Sequence, residues 1–527
     1  MLRIEKSAWL LTILSAILQA VIFPLANLYL LSWIAVAPVL VALLRARRPN
    51  TLQLEGAVKL LPAKPLQGFA LGYLCGILWY GGNCYWIFNT MKQYGGIGTA
   101  GAAGLLLLFC LYLGLYHGLF GLLTALIARK SVRAALVTAP FLWVAVELAR
   151  TRITGFPWDL LGIAQVDNIP LARIARVTGV YGVTLEIMVV NTAFAAAWVI
   201  RRKRRTSLLF AAIAAAFVLQ ISRWMPIPNF PADRSAVLVQ ENVPVLEGGD
   251  WTRAYFDQTL TELEDLSRVT PTHGTPAPDL IVWPESPAPF FSGDPLFRSA
   301  ISQLAQSTNA WIVAGNVSAE SSAAPVQNTN MIFNSASLIS PTGEWTARYD
   351  KMHLVPFGEY LPFKNLFWFA GGLTKEVGNF TAGTTRIPLD AGDEKVGVFI
   401  CYESIFPDEI RQLANSGAQV LVNASNDGWY GDSGAYAQHL KQARMRAIEN
   451  DRWLLRDTNT GVTAAIDPYG RVIQTIPRKT RAALTANYGL ISGTTFYTRH
   501  GDWLAFACAI ISIVALAISL TPGKGPA

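Results

Sequence analysis

The sequence predicts a membrane α-helical bundle of about eight spans joined to a layered α/β domain. Three observations predict it. Of 527 residues, 52% are hydrophobic and only 15% charged, with mean hydropathy +0.33, too apolar for an ordinary soluble multidomain chain. Apolar segments lie at 8–24, 28–44, 66–90, 101–128, 133–149, 177–200, 206–222 and 502–520, and most reach the ~20 residues that cross a bilayer. Between the seventh and eighth, from Ser235 onward, short β-branched runs recur among polar, helix-compatible stretches.

Taken in order, the first segment carries no small-residue cleavage site, and a second apolar segment follows almost at once after Pro24. It is expected to stay as a membrane anchor and not to leave as a signal peptide. Basic clusters at Arg45, Arg47 and Arg48, at Arg129, Lys130 and Arg133, and at Arg201, Arg202, Lys203, Arg204 and Arg205 fall in alternate loops when eight spans are threaded. The positive-inside rule then puts both termini in the cytoplasm and 223–500 on the far side. Arg150, Arg152, Arg173 and Arg176 run against that rule without reversing it. The expected organisation is 1–224 with seven spans, 225–498 as an extracytoplasmic domain, and 499–527 with the eighth span and a cytoplasmic C-terminus. The net charge of +8 is accounted for by the inside loops. No soluble basic stripe with interleaved aromatics is present, so nucleic acid is not an expected partner.

Within the outer domain, AVLVQ (236–240), LIVWP (280–284), WIVAG (311–315), VGVFI (396–400) and VLVNAS (420–425) read as strands. They are apolar without alternation, as strands covered on both faces are. YFDQTLTELEDLSR (255–268) and AYAQHLKQARMRAIEND (435–451) read as amphipathic helices, and NVSAESSAAPVQNTN (316–330) as a surface loop.

Cys75, Cys84, Cys110 and Cys508 sit in apolar segments, where a small buried hydrophobe is the plain reading. Cys401 is the one cysteine of the outer domain, so it is either a packing residue or a free reactive thiol. With no CxxC and no HExxH, neither a metal nor a cofactor is expected.

Glu285, Lys351 and Cys401 each lie just beyond a strand-like or extended run, in LIVWPES, RYDKMHLVPFGEY and VGVFICYES. Singly, Glu285 reads as a turn carboxylate, Lys351 as a solvated lysine, and Cys401 as packing or nucleophile. Together, an acid, an ammonium and a thiol supply what covalent acyl chemistry needs: a proton acceptor, positive charge for an oxyanion, and the attacking sulfur. Glu359 and Glu403 add carboxylates nearby, which would hold Lys351 charged and in place.

The order strand-PE, then KxHLVPFGEY, then CYE, resembles the nitrilase or carbon–nitrogen hydrolase superfamily. With membrane spans around it, and with the run HLKQARMRAIENDRWLLRDTNTGVTAAIDPYG (439–470), nearly the whole chain resembles the bacterial apolipoprotein N-acyltransferase family. That resemblance implies a nitrilase-like αββα sandwich in which Glu285 is the general base, Cys401 the nucleophile and Lys351 the oxyanion charge, with the Tyr402 backbone N–H beside it. Glu359 would orient or relay protons, Tyr402 and Glu403 would support activity, and Trp251 would be a substrate-binding tryptophan. The implied reaction is ping-pong, from a membrane phospholipid through a Cys401 thioester to the α-amino group of a diacylglyceryl-cysteine apolipoprotein. It would occur on the periplasmic side of the bacterial inner membrane, by a monomer, as the last step of lipoprotein maturation. The apolar stretch LPFKNLFWFAGGL (361–373) would dip into the bilayer, line an acyl-chain passage or pack on the domain.

A membrane-anchored nitrilase-type amidase would carry the same residues, with water as the second acceptor. A transporter or receptor would place ionisable residues along the spans, where His117, Glu147 and Glu186 are the candidates, and would show an internal repeat, which is not seen.

Overall fold

The computed structural model describes residues 4–49, 60–200, 202–245, 251–268, 277–286, 288–321, 330–360 and 380–521. The chain forms two units, one of Met1–Phe88, Ala100–Pro226 and His500–Ala527, the other of Asn89–Thr99 and Ile227–Arg499.

The first unit is helical: α1 (Lys6–Val21), α2 (Ala37–Leu44), α3 (Pro65–Asn83), α4 (Trp86–Gln93), α5 (Thr99–Lys130), α6 (Val132–Ala149), α7 (Ile169–Ala172), α8 (Ala175–Thr178), α9 (Val180–Val199), α10 (Arg202–Ile221), and a last helix, Trp503–Leu520. The boundary falls inside α4, whose end belongs to the second unit. Among the described residues, five helices are long and apolar enough to cross a membrane: Thr99–Lys130, Val132–Thr154, Val180–Val199, Arg204–Ile221 and Trp503–Leu520. Lys6–Val21 and Tyr29–Leu44 are shorter apolar helices. Two expected segments are interrupted. A 3-10 turn (Tyr29–Trp33) precedes α2, which carries Pro38 in its first turn. The stretch 66–90 breaks at Cys84 and Tyr85, directly after the weak helix formers Gly81, Gly82 and Asn83, into α3 and α4.

Helices without a hydrophobic drive between them associate through close packing of small residues. Gly68, Gly72 and Gly76 of α3 face Gly114, His117, Gly118 and Gly121 of α5. A Cβ on Gly72 would run into the His117 carbonyl and one on Gly121 into that of Gly68. Glu147 is satisfied within the unit by Trp143 Nε1 (3.2 Å), Leu161 N (2.8 Å) and Thr184 Oγ1 (3.0 Å). His117 lies among the rings of Trp79, Tyr80 and Trp143. Their surroundings are those of fixed packing groups.

The second unit contains two six-stranded sheets. The first uses β1 (Arg234–Gln240), β2 (Leu280–Val282), β3 (Trp311–Ser321), β4 (Asn330–Ile339) and β5 (Trp345–Asp350). The second uses β6 (Leu389–Ala391), β7 (Glu394–Ile400), β8 (Val420–Ser425), β9 (Leu454–Thr458), β10 (Thr463–Ile466) and β11 (Val472–Ile476). The late strand β12 (Ala482–Tyr488) returns to flank β1, giving orders β12-β1-β2-β3-β4-β5 and β11-β10-β9-β8-β7-β6. In each sheet three strands run parallel, β1-β2-β3 and β7-β8-β9, and their remaining neighbours are antiparallel.

Period-two alternation explains why these runs are apolar throughout. Ala236 and Leu238 of β1 join Val398, Ile400, Val420 and Val422 in the core between the sheets. Val237 and Val239 face the other way, against α11 (Arg253–Ser267) and α12 (Pro295–Thr308) through Leu260, Leu263, Ile301 and Leu304. Over the second sheet, Phe399 and Leu421 meet Ile410 and Leu413 of α13 (Pro407–Asn415) and Ala443 and Ala447 of α14 (Ala435–Asn450). The layers are therefore αββα, each buried Val, Leu or Ile stabilising by about 1.5–3 kcal/mol. Helix α12 begins where Asp294 Oδ1 accepts from Leu296 N (2.8 Å) and Phe297 N (3.3 Å) and Pro295 presets the first turn.

One expectation is corrected. The stretch 316–330 is not a loop from its start: β3 runs on to Ser321, paired with β4 in a long hairpin with Ser318 opposite Phe333 and Ala319 opposite Ile332, because that ladder satisfies the backbone N–H and C=O groups of a run whose residues 316–318 are buried. The expected apolar loop 361–373 lies outside the described residues.

Candidate active site

Glu285 follows the end of β2. Trp283 N still donates to Val313 O (2.9 Å), and the chain then turns through Pro284. Gly315 on neighbouring β3 lets the backbones approach, since a Cβ there would strike the Pro284 carbonyl. Lys351 follows β5, its N–H donating to Asn334 O (2.8 Å). Cys401 follows β7 directly. Ile400 is still extended, and Cys401 turns to φ 49°, a left-handed conformation that costs a non-glycine residue about 1–3 kcal/mol. A 3-10 turn, Cys401–Ile405, leads away.

These three positions converge. Lys351, only 1% exposed, donates through Nζ to Glu285 Oε1 and to Glu359 Oε1, both at 2.9 Å. Asn334 Nδ2 bridges the same two oxygens at 2.8 and 2.7 Å. Glu285 Oε2 accepts from Asn426 N (3.0 Å), and Glu359 Oε2 from Val355 N (2.7 Å). Each carboxylate is thus fixed in orientation. Burial works against the Lys351 ammonium, but Glu285 and Glu359 hold its pKa well above the ordinary lysine value, so it stays charged. Burial raises the Cys401 pKa, and Glu285's charge adds to this, while Lys351 and a hydrogen bond with Ser425 oppose it. The resting sulfur is therefore a thiol, within the field of both Glu285 and Lys351.

Glu403 anchors the turn. Oε2 accepts from Ile400 N (2.7 Å), and Oε1 accepts from Tyr349 Oη (2.8 Å), Met352 N (2.8 Å) and His353 N (3.1 Å). Burial raises its pKa, helped by Glu409, while the Ile400 N–H, the Tyr349 hydroxyl and the Lys351 charge oppose the shift. One carboxyl thereby ties the Cys401 turn to the segment after Lys351. Tyr402 is buried, with its ring against Phe406 (5.4 Å) and His353 (5.9 Å). Trp251 is half-buried against the outer-layer core, its ring 5.1 Å from that of Tyr255.

Several residues of this cluster escaped the sequence. Asn334 lies in a strand that shows no special motif. Asp427, His439 and Arg456 form a wholly buried network, with His439 Nε2 at 3.0 Å from the Cys401 carbonyl. The single signal was a polar density unusual for buried elements, in NASND and in AQHLKQ. Among the described residues, no group of three or more His, Cys, Asp or Glu is arranged to hold a metal ion.

The family profile described as Carbon-nitrogen hydrolase matches residues 248–490, and that described as Apolipoprotein N-acyltransferase N-terminal domain matches residues 15–193. The apolipoprotein N-acyltransferase of Geobacter metallireducens is 33% identical over 98% of this chain and 96% of its own length. That of Nitrosomonas europaea is 34% identical over 88% and 90%. The chain belongs to the apolipoprotein N-acyltransferase family. It is accordingly an enzyme of acyl transfer and a membrane protein, with a carbon–nitrogen hydrolase fold built on two sheets. Solved relatives are more distant: a carbon–nitrogen hydrolase from Helicobacter pylori is 20% identical with TM-score 0.36, covering 48% of this chain and 88% of that one. An amidase from Nesterenkonia is 17% identical with TM-score 0.38, covering 54% and 99%.

Proposed function

We propose that the enzyme moves an acyl chain from a membrane phospholipid to the N-terminal α-amino group of a diacylglyceryl-cysteine apolipoprotein, through a thioester on Cys401. The observation that carries this is the buried Cys401 thiol on its left-handed turn, under the charges of Glu285 and Lys351. Because the thiol is neutral at rest, its proton passes to Glu285 as sulfur attacks the ester carbonyl. Lys351 and the Tyr402 N–H hold the oxyanion, a contribution worth roughly 10²–10³ in rate for each donor lost. The ester C–O bond then breaks, and lysophospholipid leaves with the proton that Glu285 carried. In the second half the amine attacks the thioester, Glu285 takes the amine proton, and the thiol re-forms with it. Glu359 keeps Lys351 in place, Glu403 keeps the turn, and Trp251 contacts substrate from the outer layer.

In this reading the apolar segments make eight spans, both termini are cytoplasmic, and 225–498 stands on the periplasmic side of the inner membrane, acting as a monomer. Support comes from the alternating basic clusters and the apolar helices. The test is a mass measurement on a diacylglyceryl-cysteine peptide after incubation with enzyme in phospholipid vesicles. One added acyl chain with the wild type, and none with Cys401→Ser, supports transfer. Free fatty acid without peptide acylation refutes it and favours an amidase-like hydrolase.

A further inference from the structure

The turn at Cys401 is pinned on its far side by a residue with no place in the chemistry above. Strand β7 ends at Ile400, so the Cys401 carbonyl has left the β-ladder. His439, fully buried on α14, takes over from the ladder, with Nε2 at 3.0 Å from that carbonyl oxygen. A carbonyl only accepts, so Nε2 carries the proton. The opposite ring nitrogen is equally constrained: Nδ1 lies 2.9 Å from Asp427 Oδ1 and 3.0 Å from Arg456 Nη2. Arg456 Nη2 also donates to both Asp427 oxygens, at 3.0 and 2.8 Å, and Ser425 Oγ donates to Oδ1 at 3.1 Å. The imidazole cannot rotate without breaking buried hydrogen bonds.

A peptide group is planar, and its C=O and N–H point in opposite directions. Fixing the Cys401 carbonyl therefore fixes the direction of the Tyr402 N–H. Glu403 already holds the Phe399–Ile400 peptide, one unit ahead of the Ile400–Cys401 peptide, through Ile400 N. The Cys401–Tyr402 peptide lies beyond both, at a residue with φ 49°, and is the one His439 holds. We propose that His439 is a positioning residue for acyl transfer: it holds the Cys401 carbonyl so that the Tyr402 N–H faces the oxyanion formed on the acyl carbonyl. This rests on the thioester reading and assigns the device that aims its backbone donor. Asp427 and Arg456 act one step further out by locking the ring.

The test compares two reactions of the same thiol in full-length protein in phospholipid vesicles. One is thioester formation from phospholipid, which builds an oxyanion. The other is alkylation of Cys401 by iodoacetamide, read by peptide mass mapping, in which sulfur displaces iodide at a saturated carbon and no oxyanion forms. A poorly aimed oxyanion donor costs roughly 10²-fold. His439→Leu is expected to form thioester about 100-fold more slowly while alkylation stays within about threefold. His439→Gln, which returns an N–H donor at similar reach, recovers at least about tenfold over His439→Leu, and the shorter His439→Asn does not. If His439→Leu does not fold, the Gln and Asn pair carries the comparison. The proposal is overturned if His439→Leu acylates at the wild-type rate, if both reactions fall together, or if Gln and Asn behave alike. A wild type that is alkylated at Cys401 but never forms a thioester overturns the acyl-enzyme reading itself, a result distinct from the others.

Discussion

Replacing Lys351 with methionine keeps an unbranched side chain of similar volume, one heavy atom shorter, and removes one charge from the centre of the site. Its Nζ makes two charge-assisted bonds at 2.9 Å, to Glu285 and Glu359, with all three groups buried. Removing one partner of a buried ion pair strands the others, at about 3–5 kcal/mol. At about 2–4 °C per kcal/mol for a domain of this size, Lys351→Met lowers the melting temperature by roughly 10 °C. Lys351 has a raised folded pKa, so its contribution is complete below the unfolded value and is lost only as pH rises through the higher folded one. The contribution of Lys351 itself is therefore complete across neutral pH. Glu359→Gln added to Lys351→Met removes one stranded carboxylate and recovers about 1–3 kcal/mol, the scale of coupling between contacting residues. Tryptophan-fluorescence melting of the four proteins of that cycle in detergent is the assay. A single variant melting within about 2 °C of wild type, or a double variant with strictly additive loss, would refute this electrostatic description.

Cys401→Ser abolishes transfer while leaving membrane insertion and melting close to wild type; a fully active serine enzyme in the peptide assay would remove Cys401 from the chemistry. Gly315→Ala drives a methyl into the Pro284 carbonyl, shifting the Glu285 segment, and lowers thioester formation by roughly 10²-fold, the scale expected when a reacting group is misplaced by about 1 Å. Glu241 is buried with neither carboxylate oxygen hydrogen-bonded to a described group, and burial, helped by Glu262, pushes its pKa up to about 8. A carboxyl with a raised folded pKa stabilises below its unfolded value and loses that contribution as pH climbs to about 8, at a slope of at most about 1.4 kcal/mol per pH unit. Glu241→Gln should flatten the fall in melting temperature between pH 6 and 8.5; an unchanged slope would contradict the assignment.

The legible parts of this chain were those where burial demands a continuous apolar run. Strands β1, β2, β3, β7 and β8 announce themselves because both faces are covered, Val237 against helices and Leu238 against the opposite sheet. Strand β5 does not, since WTARYD exposes every other residue and reads as polar. Helices α11 and α14 were visible through their amphipathic spacing, within two residues of their ends. Glu285, Lys351 and Cys401 could be picked out as chemically distinct residues beyond strand-like runs, yet only the fold brings them within hydrogen-bonding and electrostatic reach. Asn334 and His439 were illegible for a different reason. Their roles lie in which oxygen they touch, and an asparagine in a strand or a histidine on a helix carries no trace of that in sequence. Trp251 was named by family likeness, and its packing against Tyr255 sets it in the outer layer.

The most direct measurement is intact-protein mass spectrometry of wild type and Cys401→Ala after incubation with phospholipid, followed by hydroxylamine and, separately, by a diacylglyceryl-cysteine peptide. Acyl transfer through Cys401 gives a hydroxylamine-labile adduct on wild type alone, discharged by the peptide with matching acylation of its amine. An adduct on both proteins, or acylated peptide formed by Cys401→Ala, would contradict it.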